Sequence, residues 1–468
     1  MAGNDEFDVI VIGAGPAGEN VAARTVAGGL STAIVERELV GGECSYWGCI
    51  PSKTLIRPGD VIAAAKRVPG ADAAVTGTID VQAALARRDY MTSSWDDSGQ
   101  VPWLNDSGIA LVRGHARLTG PRTLTVTDSE GGTRTLTANR AVVLATGTKA
   151  VVPPIPGLAE ADPWTNRGVT EMKEIPERLV VIGGGFVGAE MAQAVRRLGA
   201  SEVTVLEGGP HLLSREEPFA GEEVAKAFAA EGISVRTGVK VTAVARAEDG
   251  TVTVTLDNGD EITADELLVA TGRKPFTDDL GLDAVGLEPG KPVEVDDQLV
   301  ATGLDQGDEP WLYAVGDVNG LALLTHMGKY QARLVGDILL GKEARDRSSR
   351  DVVPRVTFTD PQVCAVGLTE KQARERGLDI RVISYPTGGV SGATTSGDGI
   401  EGTSQIIVDT AREVIVGATF TGPGVSELLH SATIAISAEV KMQDLWHAVP
   451  SFPTISEVWL RLMEAYGL

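Results

Sequence analysis

Cys44 and Cys49 stand five residues apart in the stretch Gly41-Gly42-Glu43-Cys44-Ser45-Tyr46-Trp47-Gly48-Cys49-Ile50-Pro51-Ser52-Lys53, and they are two of only three cysteines in 468 residues. Two thiols that reach one another exchange two electrons as they close to a disulfide and reopen. On a regular helix, residues five apart sit roughly 140° round the axis and about 8 Å along it, whereas a disulfide needs Cα atoms about 4.4–6.8 Å apart. Cys44 is therefore expected to precede the regular helix. Gly41, Gly42 and Gly48 permit the irregular entry, and Pro51 falls in a first turn that tolerates it. A helix N-terminus, together with Lys53, would favour thiolate over thiol. The competing readings are two free buried thiols or half a metal site. Only Cys364 remains elsewhere and no Cys or His cluster completes a ligand set, so no metal is expected.

The cysteines follow directly on a nucleotide-binding pattern. An apolar run from Asp8 to Ile12 leads into Gly13-Ala14-Gly15-Pro16-Ala17-Gly18, an alanine-rich helical stretch runs to about Ala27, and a strand from Thr32 to Val35 ends at Glu36. In such a βαβ unit the first glycine makes the turn and the second admits a pyrophosphate. The third lets helix and strand pack, and the acid accepts from a ribose hydroxyl. The arrangement recurs where Arg178 to Ile182 lead into Gly183-Gly184-Gly185-Phe186-Val187-Gly188, with a helix through Leu198 and a strand Val203 to Leu206 closed by Glu207. Two dinucleotides are implied, a glycine-rich turn without a ligand being the bland alternative for the second. Glu207 would repel a 2′-phosphate and accept from a 2′-hydroxyl, which favours NADH, while His211 and Arg215 downstream keep NADPH open. Each unit ends in a like strand and turn, Ala141 to Gly147 and Glu266 to Gly272, the latter followed by Arg273. A further strand, Trp311 to Val315, ends in Gly316-Asp317; Asp317 either accepts from a sugar alcohol or caps a following helix.

A chain of 468 residues is expected to form two or three domains. Its formal charge of −23, without a Lys/Arg run, opposes nucleic acid as a partner. The acidic start, Met1 to Phe7, passes straight into a strand, without the basic and long apolar segments of a secretion signal, and no apolar run approaches the roughly 20 residues that span a bilayer. With three cysteines, a reducing cytoplasm is the expected location.

The two fingerprints, the GGxCxxxGCxPSK stretch and the late Tyr-Ala-x-Gly-Asp step together resemble the class I pyridine nucleotide-disulfide oxidoreductases over essentially the whole chain, dihydrolipoamide dehydrogenases being similar in length and layout. The resemblance implies an α/β fold with two Rossmann-like dinucleotide-binding domains and an α+β C-terminal dimerisation domain. FAD would take residues 1–150 and 276–348, NAD(P) residues 151–275, and the dimer interface residues 349–468. The cofactors implied are FAD and NAD(H), with NADP(H) possible, in a homodimer. FAD would be held by Gly13, Gly15, Pro16, Ala17 and Gly18 with Glu36, Gly114, Ala116, Thr146, Gly147 and Asp317. Leu323, Leu324, Thr325 and His326 match the segment laid along the flavin, with one extra residue near Gly320. The nicotinamide nucleotide would take Gly183, Gly185, Phe186, Val187 and Gly188 with Glu207, Val241 and Gly272, and Arg37, Gly42, Glu43, Thr148, Arg273 and Gly316 complete the candidate cofactor contacts. Lys53 would approach the flavin N5 side paired with Glu190. Cys49 would exchange electrons with the flavin and Cys44 would meet a disulfide substrate.

The pattern breaks near the carboxyl terminus. Pro450-Ser451-Phe452-Pro453-Thr454-Ile455-Ser456-Glu457 resembles the family's His-Pro-Thr-x-Ser-Glu segment, but Phe452 stands where the proton-transferring histidine belongs. A positioned histidine contributes about 10²–10⁴-fold to such steps. Glu457, a candidate catalytic acid, is then expected to be structural, and His447 either swings into the gap or stays solvated. Mercuric reductases also lack that histidine, but Cys364 is the last cysteine here, so the C-terminal pair that passes on their metal is missing. Soluble transhydrogenases have an aromatic there but lack one redox cysteine; certain actinobacterial quinone reductases of this fold also fit. The expectation is an NAD(P)H-oxidising flavoenzyme with a Cys44–Cys49 disulfide whose acceptor is a non-lipoamide disulfide or a quinone. Dihydrolipoamide dehydrogenase with His447 as substitute base is one alternative; a flavin-bearing redox sensor or assembly subunit is another. In this fold irregular segments line the acceptor pocket, here Tyr90 to Asn105 with Trp95 and Trp103.

Overall fold

The computed structural model describes residues 5–307 and 309–468, so Met1 to Asn4 of the acidic start lie outside the described residues. Backbone contacts divide the chain into two units. The first takes Met1–Pro51, Asp89–Ala150 and Arg273–Arg350; the second takes Ser52–Arg88, Val151–Gly272 and Asp351–Leu468.

In the first unit the strand Glu6–Ile12 lies between Thr32–Glu36 and the long strand Thr133–Leu144, parallel to both, with Val11 opposite Ile34 on one side and Val143 on the other. Ala110–Arg113 extends the sheet beyond Thr32–Glu36, and Leu312–Ala314 pairs with the end of Thr133–Leu144. Both faces of these strands are covered, which is why they read as unbroken Val and Ile runs rather than as alternating ones. The start of Thr133–Leu144 also pairs antiparallel with Thr123–Thr127, which pairs in turn with His115–Gly120. Strand order reverses at Glu6–Ile12, and in open α/β sheets ligands bind beyond the carboxyl ends of the strands at such a switch.

The second unit repeats the device on a four-stranded parallel sheet, in the order Ile233–Thr237, Glu202–Glu207, Arg178–Ile182 and Glu266–Val269. It also holds a three-stranded antiparallel sheet, Val241–Arg246, Val252–Leu256 and Glu261–Ala264. Its carboxyl-terminal part is a five-stranded antiparallel sheet from Arg355–Thr357 to Ile380–Pro386, with Leu429–Ser437 and Val458–Tyr466 sharing its core. The expected α/β class with an α+β carboxyl-terminal part is thus the observed one. Among the described residues no helix is long and apolar enough to cross a membrane, and no group of three or more His, Cys, Asp or Glu is placed to hold a metal ion.

One turn stands out in the first unit. Ser93, Ser94 and Trp95 have φ of 49°, 52° and 58°, three consecutive left-handed residues without a glycine. Each costs roughly 1–2 kcal/mol relative to the right-handed form, so contacts from elsewhere must hold the turn.

Candidate active site

The two fingerprints fold almost atom for atom alike, each within its own unit. Gly13 and Gly183 adopt φ of +104° and +107°, and a Cβ on either would stand 2.5 Å from the carbonyl oxygen of Ala145 or Ala270. A Cβ on Gly18 or Gly188 would collide with the Gly13 or Gly183 carbonyl oxygen. These four glycines are demanded by the chain itself. Gly15 and Gly185 are not: a Cβ on Gly15 would find only the Gly42 Cα, at 4.0 Å, and one on Gly185 would find nothing within 4 Å. Each is the N-cap of its helix, Pro16–Ala27 or Phe186–Leu198, and neither helix start has a side-chain cap. Unfilled room before free N–H groups at a helix start suits a pyrophosphate. Both helix starts fit the phosphates of a dinucleotide.

The acids match as closely. Glu36 accepts from the amides of Ala14 and Glu38, both at 2.7 Å, and Glu207 accepts from Gly184 at 2.7 Å and Gly209 at 2.6 Å. Each carboxylate thus stiffens its own glycine turn and keeps lone pairs for a ribose hydroxyl. Burial pushes the Glu36 carboxyl up, against the amides that hold its charge.

In the first unit the cysteines lie on two successive turns. Cys44 belongs to a one-turn helix, Gly42–Tyr46, entered through Gly41 at φ +113°, and Cys49 opens the helix Cys49–Lys66 after a break at Trp47-Gly48. Cys44 does precede the long helix, as the five-residue spacing requires; the extra turn around it was not legible. Gly48 permits the crossing, because a Cβ there would stand 3.1 Å from the Glu43 carbonyl oxygen and 3.3 Å from the Cys44 Cα. Cys49 Sγ lies 3.3 Å from Thr325 Oγ1. The expected bias towards thiolate is not met at Cys44: a hydrogen bond with the Cys49 thiol, with burial, pushes the Cys44 pKa far up. A sulfur that donates its proton to a neighbouring sulfur is the last of the two to lose it.

Asp317, one of the candidate FAD contacts, does not cap a helix. It lies in the 3-10 turn Gly316–Asn319, and its carboxylate accepts from Thr148 Oγ1 at 2.8 Å. Arg273 in turn donates to that hydroxyl and to the Thr148 carbonyl, both at 2.7 Å, and reaches Glu43 at 3.4 Å. Burial pushes the Asp317 carboxyl up, so a further hydroxyl donor of the sugar-alcohol kind would favour its charged form. Gly316, at φ +76°, donates its N–H to Gln331 Oε1 at 2.7 Å, and Gln331 also accepts from Asn319 at 2.8 Å. Gln331 and Asn319 escaped sequence reading, since an amide in a helix carries no periodic signal. Ala116 is core, and Gly114 donates to the Glu36 carbonyl at 2.9 Å.

The second unit brings Lys53 and Glu190 together at 2.7 Å, with Glu190 almost wholly buried. The other Glu190 oxygen accepts from the Phe358 amide at 3.0 Å, and the Phe358 ring lies 4.9 Å from the Lys53 ammonium. This pair heads a polar seam. Lys53 and Asp60 lie seven residues apart on one helix, with Arg67 just past its end, and Glu190, Gln193 and Arg197 share a face of another. Gln193 exchanges two hydrogen bonds with the backbone of Asp360, at 2.8 and 3.0 Å, and Arg197 binds Asp360 at 2.8 Å and Asp60 at 3.3 Å. Arg67 also pairs with Asp360. Gly59 makes room, as its Cβ would stand 2.6 Å from Arg197 Cδ. Burial pushes Asp60 up to about 6 against the opposing pull of Arg197. Only Lys53 and Glu190 of this seam were expected; Phe358, Gln193, Arg197 and Asp360 were not.

At the carboxyl terminus Phe452 is 76% exposed and His447 is exposed. Glu457 is buried; one oxygen accepts from the Ser391 amide at 3.1 Å and the other, like Trp459 Nε1, is buried without a hydrogen-bond partner. A Cβ on Gly392 would collide with the Thr454 backbone, so this loop and the helix Ser391–Ser396 touch directly.

Two dinucleotide cradles and a thiol pair in one chain define a two-electron flavoprotein oxidoreductase. The chain matches the family model "Pyridine nucleotide-disulphide oxidoreductase" over residues 7–332 and the dimerisation domain of the same family over residues 353–463. It belongs to that family and is an FAD-containing, NAD(P)H-dependent oxidoreductase. It is 33% identical to dihydrolipoyl dehydrogenase of Thermus scotoductus over 468 residues, covering 98% of this chain and 97% of that one. It is 31% identical to mercuric reductase of Staphylococcus aureus over 455 residues, covering 97% and 81%. Among solved structures, the Cu(II) complex of the HOCl-induced flavoprotein disulfide reductase RclA from Escherichia coli matches with a TM-score of 0.85 at 27% identity, over 98% of this chain and 99% of that one.

Proposed function

We propose that this protein is a cytoplasmic, homodimeric NADH-preferring reductase in which Cys44 and Cys49 cycle between dithiol and disulfide, and whose acceptor is a non-lipoamide disulfide or a quinone. The proposed division of labour is FAD on residues 1–150 and 276–348, NAD(P) on 151–275 and the dimer contact on 349–468. The dimerisation-domain match over residues 353–463 supports the last assignment.

Bound FAD and NAD(P)H supply two-electron transfer to and from the thiol pair. The chain's own residues do the rest. Gly15 and the uncapped helix start behind it receive the FAD phosphates, with Glu36 and Asp317 on the hydroxyls; Gly185 and Glu207 do the same for the nicotinamide nucleotide. The Lys53 ammonium, held by Glu190 and Phe358, is a fixed positive charge. With a disulfide acceptor, Cys44 sheds its proton to solvent as it attacks one substrate sulfur, and the other is released as a thiolate that takes up a proton in turn. Cys49 then attacks Cys44, which frees the second substrate thiol and closes Cys44–Cys49.

The observation that carries the choice of acceptor is Phe452. A phenyl ring donates and accepts no proton, so an acceptor whose leaving thiolate is already stable, or a quinone, suits this site better than lipoamide does. Anaerobic reduction by NADH is the test, read by the number of equivalents consumed and by acceptor turnover. Two NADH per subunit, falling to one in Cys49→Ser, with turnover of quinones or activated disulfides far above that of lipoamide, is the expected result. One NADH per subunit in the unaltered protein would remove the disulfide from the mechanism, and fast lipoamide turnover lost in His447→Ala would favour the substitute-base reading.

A further inference from the structure

We propose that Trp95 is a positioning residue for the Cys44–Cys49 pair, acting through the left-handed turn that carries it; this rests on the redox role proposed for that pair. All the residues concerned lie in the first unit. The turn closes on itself through Trp95 N donating to the Thr92 carbonyl at 2.9 Å and Asp96 N to the Ser93 carbonyl at 3.0 Å. From it the Trp95 indole N–H donates to the Tyr46 carbonyl at 3.1 Å. Tyr46 ends the one-turn helix of Cys44, two residues after that cysteine and three before Cys49. A carbonyl at a helix end lacks an intrahelical partner, and here the indole supplies one.

The same segment grips the other end of the loop. Asp97 accepts from the Val40 amide at 2.7 Å and from Arg113 at 2.6 Å, while Arg113 also donates to the Glu38 carbonyl at 3.0 Å. Tyr46 OH closes the circuit by donating to the Val40 carbonyl at 3.0 Å. Residues 92–97 thus form a strap across residues 40–46, just ahead of the break that lets the chain cross between the sulfurs. Ser93 and Ser94 are exposed and gain little from this backbone, while Trp95 and Asp97 tie the turn to the redox loop at two anchors. Fixing the Tyr46 peptide fixes the direction of the chain between the cysteines, and with it the Cα separation that a disulfide demands. Local strain is retained where the redox geometry needs it.

The test is thiol–disulfide exchange of the flavin-loaded protein with dithiothreitol redox buffer, in which the Cys44–Cys49 bond forms as the reagent's ring disulfide opens, two protons following the two electrons. Acid quench, maleimide capping and peptide mass spectrometry read the fraction oxidised. W95F removes the N–H and keeps an aromatic ring; W95A removes both. Both are expected to lower the equilibrium constant for disulfide formation at least fivefold and to agree with one another within twofold, while V152A, at an exposed side chain outside the strap, stays at the wild-type value. D97N, which weakens the second anchor, shifts the constant in the same direction and serves if W95A does not fold. A W95F constant within twofold of wild type, at normal flavin content, overturns the proposal. Absence of reversible capping at Cys44 and Cys49 in the wild type overturns the redox reading instead, and the role of Trp95 with it.

Discussion

Phe452 stands five residues before Glu457, which ends the 3-10 turn Ile455–Glu457, yet the ring is 76% exposed while Glu457 buries one carboxylate oxygen without a hydrogen-bond partner. That oxygen is an acceptor to which a histidine could donate. F452H should restore that partner and with it a base: kcat/KM for dihydrolipoamide should rise about 10- to 100-fold, short of the full range for a tuned histidine. The gain should disappear in F452H/E457Q. Steady-state assays across pH decide it, and an unchanged rate would show that the loop no longer delivers position 452 to the reaction.

Gly15 and Gly18 separate binding from folding. G18A forces a Cβ into the Gly13 carbonyl and should fail to accumulate as folded protein. G15A adds a Cβ that meets nothing nearer than the Gly42 Cα at 4.0 Å, so it should fold yet purify with less than about a tenth of the wild-type flavin. G185V should likewise raise KM for NADH about tenfold or more and leave flavin content alone. Flavin absorbance per subunit and NADH titration read both.

Glu207 sets the coenzyme preference. E207A removes the charge that faces a 2′-substituent and also releases the Gly184 and Gly209 amides, so the NADH/NADPH ratio of kcat/KM should fall about tenfold, mainly through weaker NADH binding. A ratio that does not move would place the discrimination at His211 or Arg215.

Glu19, in the first turn of the Pro16–Ala27 helix, has one carboxylate oxygen buried without a partner; burial, opposed by Lys329 and reinforced by Glu36, raises its pKa from 4.5 to about 7. The folded state therefore holds this proton more tightly than the unfolded chain, so stability falls as pH rises from about 4.5 to about 7 and stays lower above that. E19Q should remove the penalty: its Tm should exceed wild type by roughly 2 °C at pH 8 and match it at pH 4, the upper bound being roughly 3 kcal/mol. Calorimetry across pH checks the sign.

Breaking the Lys53–Glu190 pair should cost stability as well as activity. E190A strands the Lys53 ammonium and the Phe358 amide; with Lys53 a third exposed, the loss should be about 2 kcal/mol, below the range for fully buried pairs. K53M/E190L should regain much of that stability while remaining inactive. Thermal melts of the two variants distinguish pairing from packing.

The amino-acid sequence alone determined the parts whose constraints are local. Gly13, Gly18, Gly183 and Gly188 are required by contacts within a dozen residues or with an adjacent strand, and Glu36 and Glu207 end the strand beside their own glycine turn. Such units read the same wherever they occur, so both glycine turns and the acids that brace them were legible in the sequence, and Cys44 was correctly set ahead of the helix that Cys49 opens. Tertiary structure alone decided the rest. The hydrogen bond from Trp95 joins residues 49 apart to Tyr46, and the Lys53–Glu190 pair spans 137. Neither Asp317 as an acceptor from Thr148 nor Phe358 and Asp360 as anchors of a polar seam leaves a trace in periodicity or spacing. Long-range hydrogen bonds are chosen by where the packed elements bring single polar atoms, and a linear pattern of apolar and glycine positions specifies the elements but not those meetings.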